Sequence, residues 1–168
     1  MANTYVAIAT VTVGSGGAAN ITFSSIPQTY TDLLLQLSLR DETSGSAVNV
    51  IEFNGSSSNY TQGALQGNPS SGTASSNTAT SIQIITNTPS FTANSFGSAM
   101  VYIPNYTSSN FKSVSSDSVS ENNASDAPSR LTASLWSDTA AITSIVIKPI
   151  SGDINQYSTA TLYGIKNS

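Results

Sequence analysis

The 168-residue sequence predicts an all-β fold, an antiparallel and jelly-roll-like β-sandwich of about 8–10 strands. Polar and apolar side chains alternate with a period of two along most of the chain, as they do in half-buried strands. Turn signals such as Asn54-Gly55 separate the alternating segments. No segment has the apolar stripe of an amphipathic helix, and strands without helical crossovers favour an antiparallel sandwich or barrel.

The first half of the chain contains five predicted strands. In the first, Val11 and Val13 share one face while Thr12 points to the other. In the third, leucines alternate with Gln36 and Ser38, and this strict alternation favours a strand although leucine is a good helix former. The predicted strands are residues 5–13, 19–23, 31–40, 48–53 and a short one at 60–65.

The second half begins with a predicted long exposed loop over residues 67–78, because nearly all of its residues are Asn, Pro, Ser, Gly, Ala and Thr. A second polar loop is predicted over 121–129. We expect a single domain over residues 1–168, in which residues 1–30 could form an N-terminal hairpin used in assembly. The remaining predicted strands are residues 81–86, 98–103, 111–119, 131–136, 142–148 and 158–165.

The alternation also predicts which side chains face the core. Leu131, Ala133 and Leu135 share one face, so Trp136 points outward or lies at the rim if those three point inward. An exposed Trp could stack on a sugar or anchor a partner protein, whereas a core Trp at a sheet edge is the alternative. The predicted core residues are Leu33, Leu35, Leu37, Val50, Ile82, Ile84, Val101, Leu135, Ile145, Ile147 and Leu162.

The composition excludes several function classes. There are 32 Ser, 20 Thr and 15 Asn but no His or Cys, which excludes zinc or haem sites built on those ligands, a Cys nucleophile, a Ser–His–Asp triad and disulfides. Five basic and nine acidic residues leave no basic patch for nucleic acid or anionic lipid. The start lacks a basic, apolar leader, and no apolar run approaches the roughly 20 residues that span a bilayer.

Two charged segments are candidate sites. Asp117, Glu121 and Asp126 surround an Asn- and Ser-rich loop and offer the oxygen ligands that Ca²⁺ prefers, but their spacing does not match a regular calcium loop and a solvated acidic loop is the simpler interpretation. The run Arg40-Asp41-Glu42 could be a charged interface corner, although solvated charges at a strand end are commoner. We therefore predict no metal site and no cofactor.

The tyrosines and the abundant Asn could line a glycan site, but cross-strand packing explains most tyrosines in a β-sandwich equally well. The sequence does not decide between the two, so the ligand-binding residues remain unknown. The tyrosines concerned are Tyr60, Tyr102, Tyr106, Tyr157 and Tyr163.

Catalytic arrangements are poorly supported. A serine hydrolase could use Lys112 or Lys148 as the base, yet no Gly-x-Ser-x-Gly elbow is present. The turn over residues 14–17 lacks the Lys and the helix that a phosphate loop needs. A glycosidase needs two carboxylates in one cleft, and the sequence alone cannot pair its candidates, so we predict no enzymatic activity. These candidates are Asp32, Glu52, Asp138 and Asp153.

A series of short phrases extends from about residue 30 to the end. Together, in this order, they resemble small jelly-roll virion structural proteins of tailed bacteriophages, of the capsid decoration or tail- and fibre-associated type. The resemblance carries no catalytic motif; it implies a location in the virion. The phrases are Leu33-Leu34-Leu35-Gln36-Leu37-Ser38-Leu39-Arg40, Phe53-Asn54-Gly55 with Asn59-Tyr60, Ile103-Pro104-Asn105-Tyr106, Trp136, Ile142-Thr143-Ser144-Ile145 and Ala160-Thr161-Leu162-Tyr163-Gly164-Ile165.

The resemblance leads to two functional hypotheses. The first is a structural virion protein, a capsid decoration protein or capsid-associated appendage, that binds other virion proteins and forms a homo-oligomer. The alternative is a host-recognition module at a tail or fibre tip that binds a surface glycan. In both cases the expected location is the virion, with neither nucleic acid nor membrane as a partner.

Overall fold

A computed structural model describes residues 4–42, 48–123 and 125–166 of the chain. These residues contain twelve strands and no helix, in two antiparallel sheets, which confirms the predicted all-β sandwich. The strands are β1 Tyr5–Thr12, β2 Ile21–Phe23, β3 Asp32–Leu39, β4 Val48–Phe53, β5 Tyr60–Asn68, β6 Ser71–Ala79, β7 Ile82–Ile85, β8 Gly97–Ile103, β9 Lys112–Val119, β10 Ser129–Trp136, β11 Ile145–Pro149 and β12 Thr159–Ile165.

The antiparallel strand pairs are nested along the chain. β5 pairs with β6, β4 with β7, β3 with β8, β2 with β11, and β1 with β12. Successive pairs alternate between the two sheets. The first and second halves of the chain therefore run antiparallel as one long two-stranded ribbon, and this ribbon folds over on itself as in a jelly roll. The hairpin β9–β10 is inserted between β8 and β5, and it widens the large sheet to the order β1-β12-β3-β8-β9-β10-β5-β6. The small sheet has the order β2-β11-β4-β7.

The core lies between the two sheets. The inward leucines of β3 pack with Ile51 and Phe53 of β4 in one continuous apolar cluster, where each fully buried side chain contributes roughly 1.5–3 kcal/mol. The predicted core residues belong to this cluster except Val50 and Leu135. Val50 is buried outside the cluster, because its neighbour Ile51 takes the inward position of β4.

The predicted facing of β10 is wrong. Trp136 is 1% exposed and packs edge-on against Phe53 at 5.6 Å between ring centroids, whereas Leu131 and Ala133 are exposed and Leu135 is half-buried. The inner face of this part of the large sheet is polar because it covers the free edge of β7.

Side chains of the large sheet satisfy that edge directly. The backbone N–H of Gln83 donates to Oε1 of Gln62 at 3.3 Å, and the N–H of Ile85 donates to Oγ of Ser118 at 3.1 Å. Polar residues are therefore required on the inner face of β5 and β9, and the usual alternation of apolar and polar residues does not identify that face.

The predicted exposed loop over residues 67–78 is a β-hairpin. Pro69 and Ser70 make the turn, and Oδ1 of Asn68 accepts the backbone N–H groups of Ser70 and Ser71 at 3.0 and 2.8 Å. The following strand, β6, is exposed on both faces. A strand with no buried face has no alternation, which is why its composition resembles that of a loop.

The two strands within the predicted N-terminal hairpin (residues 1–30) do not pair with each other, and residues 1–3 lie outside the described residues. β1 pairs with β12 in the large sheet and β2 pairs with β11 in the small one. The intervening turn crosses between the sheets with Gly16 and Gly17 at positive φ. A Cβ at Gly17 would lie 2.7 Å from Oε1 of Glu42, so a side chain there would displace that carboxylate.

Candidate functional site

The outer face of the large sheet consists of the side chains that point away from the small sheet. Strand register aligns them in rows that cross all eight strands. Most of these residues are Ser, Thr, Ala or Gly, so the surface is covered by short side chains. The central row runs Thr10, Thr161, Gln36, Met100, Asp117, Leu131, Leu65, Ala74.

One end of this face carries an apolar patch that we call the outer patch, formed by Leu65, Ala74, Val119 and Leu131 together with Met100, which Asp117 separates from Leu131. Leu65 lies directly opposite Leu131 across the strand pair, and the two are 61% and 56% exposed. A shallow depression of about 730 Å³ runs over this pair and Val119. Large apolar side chains gathered at one place on a surface mark an interaction site more often than scattered ones do.

The outer face carries little charge. Its outward-pointing strand positions carry the carboxylates of Asp32 and Asp117 but no Lys or Arg, since Lys112 and Arg130 lie at inward positions of β9 and β10. Arg130 nevertheless borders the depression over the outer patch. Asp32 accepts hydrogen bonds from the Tyr102 hydroxyl at 2.7 Å and the Asn105 N–H at 2.8 Å, and the bond to this carboxylate raises the pKa of Tyr102. Asp117 therefore remains as the exposed anion beside the outer patch.

The two predicted lysine bases have structural contacts. Nζ of Lys112 is buried, donates to the carbonyl oxygens of Ser108 and Ala140 at 2.8 and 2.5 Å, and lies 5.6 Å from the Trp136 ring centroid. Burial lowers the pKa of Lys112. Lys148 forms an ion pair with Glu52 at 3.0 Å on the small sheet.

The structure separates two of the predicted catalytic carboxylates, Asp32 and Glu52. Asp32 lies on the outer face of the large sheet and Glu52 on the outer face of the small one, so the sandwich separates them. Oδ1 of Asp138 accepts the backbone N–H of Ala140 at 2.8 Å, and the backbone of Asp153 accepts the N–H of Glu42 at 2.9 Å.

The calcium candidates are also separated. Asp117 projects from the middle of the large sheet, while Glu121 caps the N–H of Asn123 at 2.6 Å in the following loop. Within residues 4–42, 48–123 and 125–166, no three acidic side chains are gathered in a way that could hold a metal ion.

The run Arg40-Asp41-Glu42 does not form a solvated corner. The Arg40 guanidinium is largely buried and donates to the carbonyl oxygens of Thr92 and Ser95 at 3.0 and 2.8 Å, which fixes the loop before β8. Asp41 is buried beside Asn49, whereas Glu42 is exposed. The first two residues of this run therefore hold the end of the sandwich together.

The five tyrosines do not form one site. Tyr60 and Tyr106 are core residues, and Tyr102 and Tyr163 lie on the outer face. Tyr157 differs from the others, because its side chain is 68% exposed and its backbone has φ of 70°.

A positive φ is unusual for an aromatic residue and stores strain. The Tyr157 side chain borders a depression of about 490 Å³, which we call the Tyr157 depression, lined also by Arg40, Asn94, Phe96, Asn155 and Gln156.

Sequence reasoning missed the outer patch. Leu131 was assigned to the interior, and Leu65 lies in a segment whose pairing partner was predicted to be a loop. The sequence signal for this patch was that large apolar residues such as Val119 and Leu131 stand alone among small polar residues in β9 and β10. Only the strand register places them together with Leu65.

No protein-family model, curated protein or solved structure matches this chain. A search of the described residues for a helix long and apolar enough to cross a membrane finds none.

Proposed function

We propose that this chain is a non-enzymatic structural protein of a bacteriophage virion that binds other virion proteins through the outer face of its large sheet. The observation that carries the proposal is the outer patch, an exposed apolar cluster on a broad face whose outward-pointing strand positions carry no Lys or Arg. The centres of protein interfaces are likewise depleted of charge and rich in large apolar groups. The resemblance in sequence supplies the virion as the location.

The physical properties of the face suit repeated assembly. Short Ser, Thr and Ala side chains lose little rotamer entropy when an interface forms. A surface with few ions costs little to desolvate and does not repel neighbouring copies on one particle. The contacts are therefore apolar and hydroxyl in character, and their affinity depends weakly on salt.

The variant Leu131→Lys tests the outer face. The new ammonium lies directly opposite Asp117, so an ion pair across the strands keeps the fold intact while a charge enters the outer patch. The matched control is Thr22→Lys, which adds the same charge at an exposed position on the small sheet. Binding is measured by adding each labelled protein to purified particles that lack the native chain.

We expect Leu131→Lys to bind such particles at least tenfold more weakly than the wild type, and Thr22→Lys to bind like the wild type. Equal binding of Leu131→Lys and the wild type, or equal loss in both variants, would contradict the outer face as the interface.

A glycan-binding module at a tail or fibre tip is the second candidate, and the Tyr157 depression favours it. An exposed aromatic ring stacks on a sugar ring, and the side chains of Asn94, Asn155 and Gln156 offer amide donors and acceptors for hydroxyl groups. The strained backbone of Tyr157 fits a residue held in place for a ligand.

Binding to a host-surface glycan array distinguishes the two candidates. This alternative predicts that Tyr157→Ala abolishes a glycan signal, whereas Tyr5→Ala, which removes another exposed ring on the large sheet, preserves it. A wild-type chain that binds no glycan on the array removes the alternative.

A further inference from the structure

The two sheets have four edges, and three of them are protected against pairing with another chain. β2 is only three residues long, and β7 donates its free N–H groups to side chains of the large sheet. β1 contains a register shift between Ala7 and Ala9, and such bulges twist an edge away from partners. Short strands, covered edges and bulges are the devices by which natural sheets avoid edge-to-edge association.

The fourth edge, β6, has none of these protections. Its nine residues pair with β5 in an unbroken register from Ser71 to Ala79, and every position before Ala79 is exposed. The strand contains no proline and no charged residue. Among the described residues, no strand pairs with its other side, so β6 presents a regular row of backbone donors and acceptors to a partner strand.

The composition around β6 fits a second copy of the same chain. Residues 60–79, the whole β5–β6 hairpin, contain no Asp, Glu, Lys or Arg. Two copies related by a two-fold axis therefore meet without placing like charges opposite each other, which would destabilise a strand pair. A two-fold interface requires a surface that complements itself, and an uncharged antiparallel edge does so through its backbone alone.

The outer patch gives this pairing a preferred register. Ala74 of β6, Leu65 of β5 and Leu131 of β10 lie side by side in one row. If Ala74 lies opposite Ala74 of the second copy, the two rows join into one apolar row of six side chains that crosses the axis. No other alignment of β6 with itself makes these rows continuous.

We propose that β6 pairs antiparallel with β6 of a second copy around a two-fold axis close to Ala74, which joins the two large sheets into one continuous sheet. This pairing does not rest on a location in a virion, and it leaves the outer face of both copies free on the same side. A dimer of this kind presents two outer patches as one surface to a larger partner.

Cysteine cross-linking of the full chain tests the geometry, because the native sequence contains no Cys. Ala74→Cys, Ser75→Cys and Ser76→Cys place one thiol each at the centre of β6. Thr10→Cys is the matched control, since Thr10 is exposed in the same row of the same sheet but on the opposite edge strand. Disulfide-linked dimers are quantified after mild oxidation.

We expect at least one of the three central positions to cross-link rapidly, with Ala74→Cys fastest, and Thr10→Cys to remain unlinked. In sedimentation experiments the wild type should reach twice its 17.3 kDa mass as its concentration rises. Ala74→Lys, which places two ammonium groups opposite each other across the axis, should stay a monomer with an unchanged circular dichroism spectrum.

Three results would overturn the proposal. They are a wild type that remains a monomer at every concentration, cross-linking at Thr10 as fast as at β6, and a dimer that survives Ala74→Lys. All of these measurements use the isolated protein in solution, so their outcome is separate from whether the protein binds virions.

Discussion

Asp41→Asn is predicted to stabilise the protein at neutral pH. The Asp41 side chain is 2% exposed, and its carboxylate accepts one hydrogen bond from Nδ2 of Asn49 at 2.8 Å. Burial raises the pKa of Asp41 to about 6, and the bond from Asn49 opposes this only in part. Among the described residues, Oδ1 of Asn49 is buried without a donor. The amide introduced at position 41 can supply that donor and carries no charge.

The direction of the pH dependence follows from the raised pKa of Asp41. Below about pH 4 the carboxyl is neutral in both the folded and the unfolded chain, so its charge costs nothing. As the pH rises towards about 6, the unfolded chain releases the proton while the folded chain retains it, and the folded state loses stability. A shift of about two units at about 1.4 kcal/mol each limits the loss to at most about 3 kcal/mol.

Urea unfolding at a series of pH values measures this effect, with the fluorescence of the single Trp136 as the probe. We expect the gain in unfolding free energy of Asp41→Asn over the wild type to grow as the pH rises and to level off above about pH 6. The control is Asp117→Asn, which removes the same charge from an exposed position. A gain that is equal at all pH values, or larger in acid, would refute the reasoning.

Three further substitutions test the packing by the same unfolding assay. Leu35→Ala empties a position that is fully buried between the sheets and should cost about 2–5 kcal/mol; a cost below about 1 kcal/mol would place it outside the core. Lys112→Met should cost about 1.5–3 kcal/mol because it removes the charged hydrogen bonds to the carbonyl oxygens of Ser108 and Ala140, and an unchanged free energy would show that these bonds contribute nothing. Gly164→Ala places a Cβ 2.3 Å from the Tyr30 ring and should destabilise the packing of Tyr30 on β12, whereas full stability would mean that the ring moves freely aside.

The sequence was sufficient for the elements that have one buried face. In β3 the leucines at inward positions alternate with polar residues, so both the strand and its facing were predicted correctly. The inward isoleucines of β7 and β11 were identified for the same reason. In these strands the hydrophobic effect alone determines which residues point inward.

The sequence failed where the burial of a strand depends on distant partners. β6 has no buried face, and the inner face of β9 and β10 is polar because it covers the edge of β7. The alternation left Trp136 open between an outward and a core position, and the structure places it in the core while Leu131 is exposed. Only long-range pairing specifies such positions.

The candidate sites also depend on long-range contacts that the sequence does not reveal. Arg40 was predicted as a possible interface charge and Lys112 as a possible base, but the partners of both are backbone carbonyls that no sequence pattern marks. The outer patch depends on side chains from several strands and becomes visible only through the register.

Hydroxyl-radical footprinting of the chain, free and in purified particles of the proposed source phage, tests the proposed virion role most directly. The account predicts that the chain is present in the particles and that Leu65, Met100 and Leu131 are protected there. Ile150, which is exposed at the end of the small sheet, should stay as reactive as in the free protein. Absence of the chain from the particles, or outer-patch residues that react as fast in the particle as in solution, would contradict the account.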